Sequence, residues 1–433
     1  MMIKPRRRHA QTLSGFLLTC FLCLTSHSYG AEFSRAYSVD EGKRQHQRLP
    51  SDDIWWTANG PDMLWNFKNL HQILPTVNVY RDGSVSELKA NANSEIAGFS
   101  VKTPEGPLPF SEFIKSDHST TMGVVVLHKG QIAFEAYPRM QAHEKPVTWS
   151  VAKAIVGTLV RILEERGLVD VSAPIDRYLP ELGKSPLAGV PVRHILDMAS
   201  GLDCADDYED KQSCYYQYSI TIGDGYSADR PTQSPYEFAA TFQTERLAES
   251  GQAYSYSGLN TFVLAWLVEV ILDMPFQDAL TQEVWQHIGA ESDAAYIAPI
   301  NGVAVTHGGF LSRMRDLARF GLLFTPSRSA VSKKPIISDE HVKFMLEEGD
   351  PQLMKNAGME FMLNSGVKHS IYQWDAIHSN GMMYKGGWAG QGLVINPNWD
   401  VVAVFTSYYK DDQQSEMPLT PVIFEMLNTV YGK

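Results

Sequence analysis

The sequence predicts an α+β domain, in which helices flank one antiparallel sheet and a mainly helical region is inserted. Two patterns predict the sheet. Residues 122–137 form the first, in which two β-branched and aromatic runs are joined by a Lys-Gly turn. The second lies within 385–409 and turns at an Asn-Pro-Asn sequence. Because a helical region, about 151–300, separates these patterns, the simplest packing joins both hairpins in one sheet.

Apolar stretches predict the main helices. Residues 145–168 begin with small polar residues, continue with apolar residues at helical spacing and end near Gly167. Residues 259–272 are apolar on nearly every side, which predicts a buried helix, and residues 310–324 have an amphipathic pattern. A last helix is predicted at about 421–430.

The remaining segments organise the chain around this domain, which spans 115–433. Residues 31–114 are irregular and predict an N-terminal extension that wraps the core. Residues 190–203 predict a short helix ending at Gly201. Residues 203–235 are rich in Asp, Tyr, Ser and Gly, which predicts a long surface loop.

The first residues have the pattern of a signal peptide. Four basic residues within 4–8 precede a short apolar run at 13–24, and small residues then end at Gly30. The run is too short to span a bilayer comfortably. The sequence therefore predicts that residues 1–30 are cleaved near Gly30, that the protein is periplasmic or secreted, and that it has no stable membrane anchor.

The charge of the chain disfavours some partners. The formal net charge is −12, and cleavage would leave −16, because four basic residues and no acidic ones are removed. An acidic protein is a poor ligand for nucleic acid or for anionic membrane surfaces. We therefore expect a small-molecule substrate and no nucleic-acid partner.

Two cysteines remain after cleavage, Cys204 and Cys214. In an oxidising compartment they would close a short loop as a disulfide. The alternative is a pair of buried free thiols. Their spacing lacks histidine partners, so the sequence predicts no zinc site.

The start of the 145–168 helix carries the first chemical signal. Ser150 and Lys153 put a hydroxyl and an amine one helical turn apart on the same face. In a cleft, desolvation favours a neutral amine, which can draw a proton from the serine. The same spacing occurs at Ser86 and at Ser365, but only Ser150 opens a long amphipathic helix after a hairpin. The alternative is a solvated first turn of a helix.

Further motifs carry a resemblance to a known family. Tyr256 precedes the buried 259–272 helix, and Lys385-Gly386-Gly387-Trp388 precedes the late hairpin. Four further segments accompany them: WSVAKAIVGTLVRILEERGL, VRHILDMASGL, RDLARFGLL and GGWAGQ. Together these motifs make residues 115–433 resemble one serine hydrolase superfamily. It includes class C β-lactamases, penicillin-binding peptidases, family VIII-type carboxylesterases and 6-aminohexanoate-dimer hydrolases. The esterase and 6-aminohexanoate-dimer hydrolase branch is the most similar. The resemblance implies a β-lactamase/transpeptidase-like fold.

The resemblance also implies roles for individual residues. Ser150 would be the nucleophile that forms an acyl-enzyme, and Lys153 would help to deprotonate it. Tyr256 would act as a general base and then protonate the leaving group; a phenol between two lysines predicts a lowered pKa. Lys385, Gly387 and Trp388 would form the substrate-binding and oxyanion region, with the backbone amides of Ser150 and Trp388 as donors. No metal and no organic cofactor is implied.

One departure from the family pattern separates the alternatives. Gly258 stands where the family's Tyr-x-Asn element ends in asparagine, whose amide holds the substrate carbonyl in lactam-hydrolysing members. An esterase or amidase acting on a small ester, amide or short peptide is therefore favoured over a β-lactamase or D-Ala peptidase. Lys385 leaves room for a substrate that bears a carboxylate. A catalytically silent binding protein on the same fold is the remaining alternative, and the natural substrate and the oligomeric state stay open.

Overall fold

The computed structural model describes residues 40, 58–227, 229, 231–411 and 419–433. The predicted signal peptide, 1–30, lies outside the described residues. Contacts divide the chain into Met1–Arg35 and Ala36–Lys433, and the fold below is that of the second unit.

The strands form three sheets. In chain order they are β1 Thr76–Val79, β2 Ser100–Val101, β3 Leu108–Pro109, β4 Thr121–His128, β5 Gln131–Ala136, β6 Ala294–Ile297, β7 Phe310–Leu311, β8 Val367–Ile371, β9 Trp374–His378, β10 Met383–Gly387, β11 Gln391–Asn396 and β12 Val401–Ser407. The largest sheet has seven strands in the order β5-β4-β12-β11-β10-β9-β8, and all its pairs are antiparallel. Smaller sheets have the orders β1-β6-β7 and β2-β3.

The predicted α+β class and the shared sheet are confirmed. Strand β12 of the second hairpin pairs with β4 of the first, with Val404 opposite Val125. The sheet is covered on both faces, because alternate residues of β4 belong to different cores: Val125 and Leu127 to one, and Val124 and Val126 to the other. Burial on both faces explains why β4 is an unbroken apolar run.

Helices cover the sheet and fill the inserted region. In chain order they are α1 Gly60–Ile73, α2 Ser94–Ala97, α3 Phe110–Phe113, α4 Val151–Glu165, α5 Val192–Leu196, α6 Cys214–Ile222, α7 Pro235–Thr241, α8 Gly258–Leu272, α9 Phe276–Glu283, α10 Met314–Leu322, α11 Asp339–Glu347, α12 Pro351–Asn356, α13 Glu360–Asn364 and α14 Leu419–Tyr431. Short 3₁₀ helices lie at Ile175–Arg177, Pro180–Lys184, Trp285–His287 and Pro326–Ala330.

Helices α4 and α8 are central to this packing. Helix α8 contacts α4, α5, α6 and α9, which explains why its sequence is apolar on nearly every side. Helix α4 also contacts β9, β10 and β11. Its first residue, Val151, follows Ser150 directly, so the predicted Ser-x-x-Lys pair lies at the point where this central helix begins.

Three predictions about secondary structure were wrong. The extension is not irregular: it contains α1, whose buried Met63, Phe67 and Leu70 follow helical spacing, and β1, which pairs with β6. The stretch at 203–235 contains α6, because its tyrosines are buried core residues rather than loop residues. The helix predicted to end at Gly201 is α5, which ends earlier.

The helices were also compared with the length and hydropathy that a membrane span requires. Within the described ranges, no single helix is long and apolar enough to cross a bilayer. One bent pair, Gly258–Leu272 with Phe276–His287, passes on length and composition alone.

Gly157 tests the packing of α4 against the sheet. A Cβ at this position would lie 2.2 Å from the backbone oxygen of Tyr372, between β8 and β9. We expect Gly157→Ala to lower the free energy of unfolding by about 1–3 kcal/mol, because a backbone atom must move. Alanine favours a helix by about 1 kcal/mol over glycine, so helix propensity alone would make this variant more stable. A loss of stability would therefore come from the packing of α4. Urea denaturation measures the free energy of unfolding.

Gly183→Ala is the matched control, because no neighbouring atom lies within 4 Å of a Cβ added there. If both variants are equally stable, α4 does not pack against this turn as described.

Candidate active site

A cleft of about 950 Å³ opens at the start of α4, where the end of β10 and the loop after Cys204 approach it. Five of the residues predicted from the sequence line it: Ser150, Lys153, Tyr256, Gly387 and Trp388. Its other lining residues are Trp149, Asp206, Asp207, Tyr208, Glu209, Asp224, His307, Gly308, Tyr384 and Gly386.

Lys153 has three polar partners in the cleft. Its Nζ donates to Ser150 Oγ at 3.1 Å and to the backbone oxygen of His307 at 3.1 Å. The same Nζ lies 3.4 Å from Asp206 Oδ2. The side chain is 1% exposed, and burying an ammonium group is costly unless it is paired. These three acceptors match its three N–H donors, which accounts for a lysine in the first turn of a core helix.

The backbone before Ser150 is strained. Trp149 has a φ of 45°, a left-handed conformation that costs about 1–3 kcal/mol for a residue other than glycine. Its ring packs edge-on against Phe67 of α1, with centroids 5.5 Å apart, and against Trp388, at 6.1 Å. Packing against two other parts of the chain holds the turn that leads into Ser150.

Gly387 allows the end of β10 to approach this turn. A Cβ on Gly387 would lie 2.5 Å from the backbone oxygen of Thr148. Only a residue without a side chain fits this approach. The next residue, Trp388, therefore reaches the rim of the cleft beside Trp149.

Tyr256 lies between two lysines. Its hydroxyl accepts a hydrogen bond from Lys385 Nζ at 3.0 Å, and the Nζ atoms of Lys153 and Lys385 are each 4.6 Å from the centre of its ring. The expected lowering of its pKa was wrong. Burial raises the pKa of Tyr256 well above its ordinary value, and the negative charges of Asp375 and Asp206 add to this effect. A hydrogen bond with Ser150 opposes the rise only in part. Tyr256 is therefore a phenol in the resting protein.

Lys385 is fully buried and already paired. It forms an ion pair with the carboxylate of Asp375, which also accepts a hydrogen bond from the Gly386 amide at 2.9 Å. Burial lowers the pKa of Lys385 to about 8, although Asp375 opposes this change. The expectation that Lys385 leaves room for a substrate carboxylate is therefore corrected, because its charge is directed to Tyr256 and Asp375.

A buried histidine–aspartate pair lies at the side of the cleft and was not predicted to take part in it. His307 Nε2 is 3.1 Å from Asp224 Oδ2, and its Nδ1 is 3.1 Å from the Tyr218 hydroxyl. Burial alone would raise the pKa of Asp224, but hydrogen bonds from His307 and Tyr208 lower it below its ordinary value. The ionised carboxylate fixes His307, whose backbone oxygen binds Lys153.

Two acidic residues beside the lysines, Asp206 and Asp375, were not predicted from the sequence. Asp375 had a weak signal, since it is the only charged residue in β9 apart from a histidine. Asp206 stands in a run of acidic residues that resembles a solvated loop. It lies two residues after Cys204, which forms a disulfide with Cys214. In the described part of the chain, no group of three or more His, Cys, Asp or Glu residues is arranged to hold a metal ion.

Comparison with known families agrees with this fold and this cleft. The Beta-lactamase family model matches residues 110–425, which includes every residue of the cleft. The chain belongs to the Beta-lactamase family, and the resemblance found in the sequence is confirmed.

Individual relatives narrow the class to hydrolases. The chain is 27% identical over 363 residues to the 6-aminohexanoate-dimer hydrolase of Paenarthrobacter ureafaciens, across 84% of this chain and 89% of that protein. A structure from Bacillus anthracis, provisionally described as a 6-aminohexanoate-dimer hydrolase, has a TM-score of 0.75 at 19% identity and covers 89% of this chain and 97% of its own. EstCE1, a hydrolase with promiscuous acyltransferase activity, has a TM-score of 0.57 at 15% identity, with 74% and 96% covered. The two structures support the fold, and the first relative supports a hydrolase.

Phe67 tests whether α1 supports the cleft. Its side chain is fully buried and packs against both Trp149 and Trp388. We expect Phe67→Ala to lower the free energy of unfolding by about 3–5 kcal/mol through the cavity that it leaves, and to change the near-ultraviolet circular dichroism of the two tryptophans.

The control is Phe361→Ala, whose side chain is 71% exposed. Similar losses in the two variants would contradict a supporting role for α1.

Proposed function

We propose that this protein is an exported serine hydrolase that cleaves an ester or amide bond through an acyl-enzyme on Ser150. The proposal rests on one observation above all: Ser150 Oγ and Lys153 Nζ are 3.1 Å apart at the edge of a cleft that Tyr256 also lines. A nucleophile, a neighbouring base and a proton donor are the parts that acyl transfer requires.

Acylation begins with proton transfer from Ser150. Lys153, in its neutral form, takes the hydroxyl proton while Ser150 Oγ attacks the substrate carbonyl carbon. Tyr256 is a poor base at rest because its pKa is raised, so the base role falls to Lys153. The negative charge that develops on the substrate oxygen is stabilised by the backbone amides of Ser150 and Trp388.

Tyr256 then acts as a general acid. The tetrahedral intermediate collapses, the bond to the leaving group breaks, and the phenol gives its proton to that group. The resulting phenolate is stabilised by the Lys385 ammonium, which lies 3.0 Å from the same oxygen. This division of roles differs from the one implied by the resemblance, in which Tyr256 is also the first base.

Deacylation restores both groups. Water gives a proton to the Tyr256 phenolate and attacks the acyl carbon. The bond between the acyl group and Ser150 Oγ breaks, and Lys153 returns its proton to the serine. The cycle is balanced without any other reactant than water.

The substrate that we propose is a small ester or a short linear amide. The relative from Paenarthrobacter ureafaciens is named for hydrolysis of the 6-aminohexanoate dimer, and EstCE1 is described as a hydrolase with promiscuous acyltransferase activity. A penicillin-recognising activity is less well supported. A Cβ at residue 258 would lie 2.9 Å from ring atoms of both His307 and Tyr215, so the family's asparagine does not fit here without rearrangement.

Export is proposed on the sequence of residues 1–30 and on the disulfide. A bond between Cys204 and Cys214 persists in an oxidising compartment, such as the periplasm or the extracellular space. N-terminal sequencing of the protein from a culture supernatant or periplasmic extract tests this part.

Two esters that differ only in their leaving group distinguish the role of Ser150 from that of Tyr256. We expect Ser150→Ala to abolish hydrolysis of a p-nitrophenyl ester and of the methyl ester with the same acyl group. Tyr256→Phe should lower kcat/KM for the methyl ester by about 10²–10⁴-fold, the usual contribution of a general acid. The loss should be much smaller for the p-nitrophenyl ester, because nitrophenolate leaves without a proton.

The matched measurement is kcat/KM, since it reports acylation for both substrates. Equal losses for the two esters in Tyr256→Phe would contradict its role as the general acid, and turnover by Ser150→Ala would contradict the nucleophile.

Lys385 predicts how kcat/KM depends on pH at the alkaline end of the profile. Its ammonium stabilises the phenolate, and burial lowers its pKa to about 8, so kcat/KM should fall as the pH rises through about 8. Because Asp375 raises the pKa of Lys385, Asp375→Asn should move this fall to lower pH. Glu95→Gln removes an equal but exposed charge and should leave the profile unchanged. A fall at the same pH in both variants would argue against Lys385 as its origin.

A further inference from the structure

Asp206 joins three parts of the cleft through one side chain and one amide. Its Oδ2 lies 3.4 Å from Lys153 Nζ, and its Oδ1 accepts a hydrogen bond of 2.5 Å from the Gly258 amide. Its own amide donates to the backbone oxygen of Tyr256 at 3.0 Å. One residue therefore links the lysine to the backbone on both sides of Ser257.

The start of α8 requires an acceptor from elsewhere. Ser257 occupies the N-cap position but makes no side-chain capping bond, and Gly258 has no side chain. Asp206 supplies the acceptor for the Gly258 amide, at the positive end of a helix of 15 residues. The carboxylate is held there by the backbone, and not only by its contact with Lys153.

The loop that carries Asp206 is fixed at several points. The disulfide between Cys204 and Cys214 closes it. Within it, the Tyr208 hydroxyl donates to Asp224 Oδ2 at 2.6 Å. The position of the carboxylate beside Lys153 is therefore set by the loop as a whole.

The geometry points to Asp206 as a positioning residue that acts through Lys153, and we propose that it occupies the functional place of the missing asparagine. This inference rests on the proposed function. In acylation Lys153 gains a proton, and a carboxylate at 3.4 Å favours the ammonium that forms. Asp206 thereby stabilises the positive charge that forms on Lys153 in acylation and keeps its Nζ directed to Ser150 Oγ.

A carboxylate also differs from an amide in the substrate groups that it can bind. It accepts hydrogen bonds but does not donate them. A substrate carbonyl, which an asparagine amide would hold, finds no donor at Asp206. We therefore infer that this site is adapted to acyl groups without a second carbonyl at that point, which separates it from lactam recognition.

Other charged and titratable groups also face Lys153, and the test must distinguish Asp206 from them. Besides Asp206, they are Tyr256 from the segment before α8, His307 from the segment before β7, Asp224 from the segment after α6, and Lys385 from β10.

The experiment compares Asp206→Asn with Asp210→Asn. Asparagine at 206 keeps an oxygen for the Gly258 amide but removes the charge beside Lys153. Asp210 lies in the same disulfide-closed loop but is exposed and does not line the cleft, and its carboxylate accepts a hydrogen bond from the Gln212 amide. The control therefore removes the same charge from the same loop and likewise keeps an acceptor oxygen.

We expect Asp206→Asn to lower kcat for a p-nitrophenyl ester by about 10–100-fold, a fraction of what acid–base catalysis contributes, with little change in KM. Asp210→Asn should leave kcat unchanged.

Labelling with a fluorophosphonate, followed by intact mass, gives a second readout that does not depend on the substrate. Wild type should be labelled, Ser150→Ala should not, and Asp206→Asn should be labelled more slowly than Asp210→Asn. Thermal unfolding and the intact disulfide establish that the variants are folded. Asp206→Ala, which also removes the acceptor for Gly258, should show at least the same loss of kcat and a larger loss of stability.

The outcomes separate the two proposals. If wild type reacts and Ser150→Ala does not, but Asp206→Asn matches Asp210→Asn in kcat and in the rate of labelling, the role of Asp206 is overturned and the hydrolase stands. A change in KM alone would also overturn it, since Asp206 would then bind substrate directly. If wild type neither turns over esters nor reacts with the probe, both proposals are contradicted.

Discussion

Two buried lysines on either side of one tyrosine are the constraint on which the cleft depends. Lys153 and Lys385 are almost or completely inaccessible to solvent, and each lies 4.6 Å from the centre of the Tyr256 ring. Buried charge is tolerated only when it is paired and hydrogen-bonded. Asp206 pairs with the first lysine and Asp375 with the second. The cleft therefore forms only when a disulfide-closed loop, two interior strands of the sheet (β9 and β10) and two helix starts assemble together.

Close backbone approach makes this assembly possible. Glycine at 387 allows the end of β10 to pass beside Thr148, and glycine at 157 allows α4 to pack against the turn before β9. The left-handed conformation of Trp149 is held by aromatic packing from α1 and from Trp388. Strain of this kind persists where surrounding structure over-determines it, and here it lies directly before Ser150.

The glycine that replaces the family's asparagine at 258 and the carboxylate of Asp206 are two sides of one change in the cleft. His307 and Tyr215 fill the space into which a side chain at 258 would project, and a carboxylate from the 204–214 loop reaches the lysine instead. Under the proposed mechanism, this exchanges a neutral donor for a negative acceptor beside the base. The Beta-lactamase fold is unchanged, while the chemistry offered to a substrate differs.

The sequence by itself determined the antiparallel sheet, the central helices, the family and five residues that line the cleft, because hydrophobic period, hairpin patterns and motif order are local properties. It did not determine the helix in the N-terminal extension, since short helices depend on tertiary packing for their stability. It also gave the wrong direction for the pKa of Tyr256 and missed Asp206 and Asp375. Burial, and the identity of the carboxylates that face two lysines, depend on residues far apart in the chain, and only the tertiary structure brings them together.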